Sequence, residues 1–305
     1  MTEQQRLNML EKPKGMVDVV LDTDAYNEVD DQFAIAYMIK AKEKLNPVAI
    51  YAAPFFNQNS ESPEDGMLKS YDEIIRVARM AGWDHPEKVY HGSRTYLPDE
   101  NTPVMSPAAE DLARRAMNYT SEKPLYVAAI GAITNIASAL LINPEIRERI
   151  VVIWLGCNGL HWDNNWEFNL RQDIPAGRVL LSSGVPVVLI PANGVNSMFH
   201  TNEHELRYWL VDKNPLCDYL ARRMIATANE YAKGKPWSRV IWDVAPISWL
   251  MDEEGRYMLD RIIPAPLPAP DSHWTYDETR HSIRYVYGVY RDYLMEKLFT
   301  HLLRE

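Results

Sequence analysis

Four aspartates and one glutamate, Asp22, Asp24, Glu28, Asp30 and Asp31, fall within ten residues of the stretch Val-Val-Leu-Asp-Thr-Asp-Ala-Tyr-Asn-Glu-Val-Asp-Asp from Val19 to Asp31. They follow an apolar run that reads as a buried strand, and they precede a segment with helical spacing. A helix dipole favours acids in its first turn, which accounts for Asp30 and Asp31. It does not account for Asp22 and Asp24 at the carboxyl end of a strand, the edge where open parallel sheets bind ligands. Carboxylates crowded there repel one another unless a divalent cation neutralises them, so a metal or catalytic site is expected. An EF-hand is excluded, because Tyr26, Asn27 and Phe33 stand where it needs an oxygen ligand, a glycine and a glutamate. Phosphate-binding glycine loops and the His-Glu-x-x-His zinc motif are absent from the sequence.

Other predicted strand ends carry matching polar residues. Pro47 to Ala53 is followed by Phe56-Asn57-Gln58, and Leu125 to Ile130 by Gly131-Ala-Ile-Thr134-Asn135. Ile150 to Leu155 leads to Gly156-Cys157-Asn158 and then to Trp166-Glu167-Phe168-Asn169. Trp242-Asp243 precedes the apolar segment Val244 to Met251. Each has an ordinary explanation as a turn or helix cap. Their recurrence at strand ends indicates one shared edge.

The elements that position these residues alternate. Val17 to Leu21, Pro47 to Ala53, Leu125 to Ile130, Ile150 to Leu155, Val185 to Ile190 and Ile283 to Tyr290 read as strands. Gln32 to Lys42, Gly66 to Ala81, Thr134 to Leu141, Pro175 to Ser183 and Asp292 to Leu303 read as helices. Apolar strands without alternation, separated by helices, predict an α/β fold: a mainly parallel, doubly wound open sheet with helices on both faces. Residues 1–14 read as a polar tail and 15–305 as a single domain, with a helical cap or insertion around 201–233. Pro264 to Pro270 reads as a stiff surface loop.

In this combination and order the chain resembles the nucleoside hydrolase family, the inosine-uridine and purine-preferring N-ribohydrolases. The resemblance runs from about Val17 to the last helix and rests most on the aspartate cluster and Glu167-Phe-Asn169. It implies calcium-dependent hydrolysis of the N-glycosidic bond of ribonucleosides, purines favoured, with Asp24 as general base and calcium ligand. Asp31, Asp243 and the carbonyl of Ile130 would complete the protein side of the Ca²⁺ site. Asp30 would hold the ribose 2′-hydroxyl, Asn57, Glu167 and Asn169 the other ribose oxygens, and Asp22 would support the cluster. Carboxylates, a carbonyl, water and sugar hydroxyls supply the six to eight oxygens Ca²⁺ takes. The resemblance further implies a homo-oligomer, dimer or tetramer, acting in purine salvage, while the two free thiols and the lack of an apolar leader predict a cytoplasmic protein.

Two departures mark this chain. The family's Asp-x-Asp-Pro-Gly-x-Asp-Asp becomes a longer loop, Ala-Tyr-Asn-Glu-Val between Asp24 and Asp30, which brings Asn27 or Glu28 towards the sugar. Trp242 stands where pyrimidine-accepting members carry a histidine, a substitution shared with purine-preferring members, which stack the base on aromatic rings. Trp162 and Trp166 are further stacking candidates, and Asn158, His161 or Asn164 is expected to replace a ribose-binding asparagine. Two other readings stay open. Haloacid dehalogenase-type phosphatases also place Asp-x-Asp after a strand, and a calcium-stabilised sugar- or nucleoside-binding protein would use the same residues without turnover.

Acids outnumber bases 42 to 32, for a net charge of −10, which argues against a broad grip on nucleic acid or an anionic membrane. Cys157 and Cys217 are too few for a disulfide framework or a zinc cage. No apolar h-region opens the chain, so no signal peptide is expected. Leu125 to Ile142 is long enough to span a bilayer, but Gly131, Thr134, Asn135 and Ser138 make it a strand, turn and helix. A soluble protein acting on a small molecule is expected.

Overall fold

The computed structural model describes residues 1–304. In chain order the principal elements are α1 (Glu3–Met9), β1 (Val17–Thr23), α2 (Asp31–Lys40), β2 (Leu45–Ala52), α3 (Pro63–Met80), β3 (Val89–His91), α4 (Pro107–Arg115), β4 (Leu125–Ala129), α5 (Thr134–Ile142), β5 (Ile150–Leu155), α6 (Phe168–Gln172), α7 (Ile174–Ser182), β6 (Val187–Ile190), α8 (Glu203–Trp209), α9 (Pro215–Ala232), α10 (Val244–Met251), β7 (Met258–Pro264), β8 (Ser282–Val289) and α11 (Arg291–Leu302). The eight strands form one sheet in the order β3-β2-β1-β4-β5-β6-β8-β7. All neighbours pair in parallel except the edge strand β7, which runs antiparallel to β8. This is the α/β architecture expected from the sequence.

Alternate residues of the central strands supply two cores, because successive side chains leave a strand on opposite faces. Val19, Leu21, Ala128, Ile153 and Val188 pack with α2, α10 and α11. Val20, Val127, Val152, Trp154 and Leu189 pack with α4, α5 and α7. Both faces are covered, so the strands are apolar throughout rather than alternating. The chain switches direction across the sheet at β1, which lies between β2 and β4, and the crevice at such a switch point is the usual ligand site of open α/β sheets. Asp22 on β1 is level with Tyr51 of β2 and Ala129 of β4, so it lies at the end of the sheet where the loops converge.

Three segments differ from the sequence expectation. Residues 1–14 are docked rather than a free tail: Thr2 forms a capping box with Gln5, and Met9 and Leu10 are buried. Arg6 donates to the carbonyl of Gly184 at 3.1 and 3.2 Å, closing the segment onto the turn before β6. The edge strand β7 lacks an apolar signature because most of its residues are partly or fully exposed. The proline-rich stretch begins in that strand, and Leu267–Pro268 pairs with Trp274–Thr275 as a small ribbon held to α7 by Arg178. The stretch around 201–233 holds α8 and α9. Among the described residues no helix is long and apolar enough to cross a membrane.

Candidate active site

The sheet's carboxyl edge places Asp22, Asp24, Asp30, Asp31 and Asp243 together although the last is far off in sequence. Asp22 and Asp24 come from the end of β1, Asp30 and Asp31 from the start of α2, and Asp243 from the start of α10. All five are buried. Asp30 occupies the N-cap of α2 but makes no capping bond. Its Oδ2 instead accepts the N–H of Trp242 at 2.9 Å, which joins the first loop to the segment carrying Asp243. Asn196 donates to the Trp242 carbonyl at 2.8 Å and fixes that segment from the other side.

The acids differ in how far the protein satisfies them. Asp22 Oδ1 accepts from Asn135 Nδ2 at 2.8 Å, while Asn135 Oδ1 accepts from the backbone and hydroxyl of Ser93. Asp31 Oδ1 accepts from the Thr23 hydroxyl at 2.6 Å. Both carboxylate oxygens of Asp24, and Oδ2 of Asp22 and of Asp31, are buried without a hydrogen-bond partner among the described residues. Burial pushes the Asp22 carboxyl up to about 7. Burial, with the charge of Asp31 behind it, raises Asp30 to about 6; Asp31 also rises to about 6, chiefly by burial. Asp24 and Asp243 are held well above the usual carboxylate range, first by burial and then by the neighbouring aspartates.

Buried oxygens without a protein partner and mutually repelling carboxylates suit a site for a cation. Oxygens of Asp30, Asp31 and Asp243 lie within 4.8 Å of one another, close enough to share one metal ion. The donors are all oxygen, which suits a hard divalent cation. Ile130 lines the same cleft, and its carbonyl accepts a long bond, 3.3 Å, from Asn169 Nδ2. The residues therefore fit a divalent metal, with Asp24 beside it.

A cleft of about 280 Å³ opens in front of the cluster. Asn27, Glu28, Asp30, Ile130, Trp166, Glu167, Asn169, Trp242 and Asp243 line it, as do Phe168, Arg171 and Asn193, which the sequence does not single out. Glu167 caps α6: its carboxylate accepts the N–H groups of Cys157, Asn169 and Leu170 at 2.8 to 2.9 Å. Those bonds hold the Glu-Phe-Asn element against the end of β5. Asn57 reaches the site through Asn27, donating to its Oδ1 at 2.5 Å.

The longer loop is anchored at Glu28 by an ion pair with Arg239, whose guanidinium also lies over the ring of Tyr231. Nothing in the local sequence around Arg239 points to this role. Asn158, His161, Trp162 and Asn164 do not line the cleft. Asn158 is buried in its own loop, bonded to Asn164, Asn165 and Asn193. His161 and Trp162 lie against Gly194.

A family model described as inosine-uridine preferring nucleoside hydrolase matches residues 19–282. The pyrimidine-specific ribonucleoside hydrolase RihA of Salmonella paratyphi A is 28% identical over 164 residues, 52% of this chain and 52% of that protein. The chain thus spans about half the length of the curated relatives it matches. A purine-preferring ribonucleoside hydrolase from Gardnerella vaginalis superposes with a TM-score of 0.71 at 19% identity, covering 94% of this chain and 98% of that one. A plant nucleoside hydrolase superposes with a TM-score of 0.73 at 15% identity, covering 95% and 99%. These two likenesses are of fold, while the family match extends over nearly all of the strands and loops that build the cleft. By that match the chain belongs to the inosine-uridine preferring nucleoside hydrolase family.

Proposed function

We propose that this protein hydrolyses the N-glycosidic bond of ribonucleosides, favours purines, and depends on Ca²⁺. The observation that carries the reading is Asp24, a buried carboxylate whose two oxygens have no protein partner, in a cluster with Asp30, Asp31 and Asp243, of which Asp30 and Asp243 line the cleft. Asp24, Asp31, Asp243 and the Ile130 carbonyl would hold a divalent cation, which when bound would neutralise the cluster and make a nearby water more acidic. Asp24 removes a proton from the attacking water, whose oxygen bonds to the anomeric carbon as the bond to the base breaks; the bonding pair leaves on the base nitrogen, and the base takes up a proton from solvent. Asp30, Asn57, Glu167 and Asn169 hold the ribose hydroxyls, and the surrounding oxygens stabilise the positive charge that develops on the ring. Asp22 supports the cluster through Asn135. Trp242 and Trp166, with Phe168, offer the base an aromatic wall, and no histidine lines the cleft among the described residues.

Family membership favours this reading over a phosphatase, and unsatisfied Asp24 favours turnover over mere binding. The same reading has the enzyme work in purine salvage as a cytoplasmic dimer or tetramer. The direct test follows base release from inosine, guanosine, uridine and cytidine with wild type and Asp24→Asn. Purine turnover by wild type, lost by roughly four orders of magnitude in the variant, is expected for removal of a general base. Full turnover by the variant would remove Asp24 from the mechanism, and faster release from uridine or cytidine would overturn the purine preference.

A further inference from the structure

The five residues between Asp24 and Asp30, Ala-Tyr-Asn-Glu-Val, include no proline to fix the backbone of the loop. Yet a site carboxylate stands at each end, and the cluster functions only if the two ends keep their spacing. Besides the Glu28–Arg239 ion pair and the Asn57–Asn27 bond, a further restraint comes from a side chain outside the cleft. Glu73 on α3 is 1% exposed. Its Oε1 accepts from Gln32 Nε2 at 3.2 Å, from Arg223 Nη1 at 2.8 Å and from the Tyr219 hydroxyl. Its Oε2 accepts from Arg76 at 3.2 Å.

Two of these partners, Gln32 and Arg223, lead back to the loop. Gln32 Nε2, one residue beyond Asp31, also donates to the carbonyl of Ala25 at 2.7 Å. Arg223 on α9 lies 5.3 Å from the centre of the Tyr26 ring. The Tyr26 N–H donates to Ser70, one turn before Glu73 on α3, at 3.3 Å. A single buried carboxylate therefore joins α2, α3 and α9 around the two residues that follow Asp24.

We propose that Glu73 is a positioning residue for the carboxylate cluster, acting with Arg223 to fix the Ala25–Val29 loop and so the placement of Asp24 relative to Asp30 and Asp31. The proposal rests on the cluster being the metal-dependent centre described above. A buried charge is a poor choice for packing alone, since a hydrophobe of similar volume stabilises as well or better. What the charge adds is directed bonds from three helices, with one geometry that satisfies all of them. Because α9 lies in the helical stretch around 201–233, this network also ties that stretch to the aspartate loop. Glu73 touches neither substrate nor metal position and is not a catalytic residue.

The test uses the full chain as wild type, Glu73→Gln and Arg223→Met, the latter at a partly exposed position that spares the buried carboxylate. Three quantities are measured: hydrogen exchange of amides 25–30 without metal, Ca²⁺ affinity by calorimetry, and kcat and KM on inosine. Both variants are expected to speed loop exchange and to weaken Ca²⁺ binding on the order of tenfold, the lower end for residues that orient metal ligands. kcat should fall more than KM rises, and Arg223→Lys should recover part of each loss. Wild-type loop exchange and Ca²⁺ affinity in both variants, with only a lower melting temperature, would reduce Glu73 to scaffold and overturn the proposal. If wild type itself neither binds Ca²⁺ nor cleaves inosine, the functional reading fails, while the exchange measurement still decides whether Glu73 holds the loop.

Discussion

Gly131 has no left-handed backbone angle to explain its lack of a side chain; its neighbour Asp24 does. A Cβ there would lie 3.1 Å from Asp24 Cγ and Oδ1 and 3.1 Å from the Ala53 side chain. Gly131→Ala is therefore expected to push the Asp24 carboxylate from its place, at a strain cost of about 1–3 kcal/mol. Turnover should drop well beyond the loss of stability, and an unchanged kcat on inosine would show that Asp24 tolerates the shift. The aspartates themselves are legible in the sequence, because charge crowded at a strand end has few structural uses. Their division of labour is not. Asp30 could have been a helix cap, and only the bond from Trp242 shows that it turns inward instead. Glu167 lines the cleft, yet three backbone N–H groups take up most of its carboxylate and leave one acceptor site for a sugar hydroxyl. The partner of Glu28 lies 211 residues away, beyond the reach of any local pattern.

Elements with a strong apolar signature are found where periodicity puts them, and the errors fall on those stabilised by tertiary contact. α1 is a short polar helix whose only apolar anchors sit at its end, so composition alone reads it as a tail. Met9 and Leu10 are buried with the same core that supports β1 and α11. Leu10→Ala should cost about 2–5 kcal/mol, the range for emptying a buried leucine site. Urea unfolding should show the loss while kcat stays at its wild-type value; an unchanged midpoint would mean the segment is only loosely docked. α4 carries the start signature Ser106-Pro107, a side-chain cap followed by proline in the first turn, which a closer reading of caps would recover. β7 offers no such clue. Its residues are half exposed at the sheet edge, and only pairing with β8 makes them a strand.

For the molecule as a whole, the buried acids make stability depend on pH in an unusual direction. Burial raises Asp22 to about 7 and Asp30 and Asp31 to about 6, against roughly 3.9 for an unfolded aspartate. Between those values the folded chain binds more protons than the unfolded one, so stability falls as pH rises. It is fully present below the unfolded value and lost as pH climbs through the folded values. Chelated protein should thus melt at a lower temperature near about pH 8 than near about pH 5. Saturating Ca²⁺ should restore the loss at the higher pH, because a ligand that binds only the folded state stabilises it. A flat profile in chelator, or no response to Ca²⁺, would count against a cation-binding carboxylate cluster. The α/β class, the strand ends that carry polar residues and the concentration of acid after β1 follow from the sequence by itself, since hydrophobic period and charge density are local properties. Tertiary structure alone decides which acids are satisfied and which are left bare, because desolvation and pairing depend on neighbours brought in from distant segments. Asp24 is the clearest case: its type and place are written in the chain, but its two unpartnered oxygens exist only once α2, α10 and the Gly131 turn close around it.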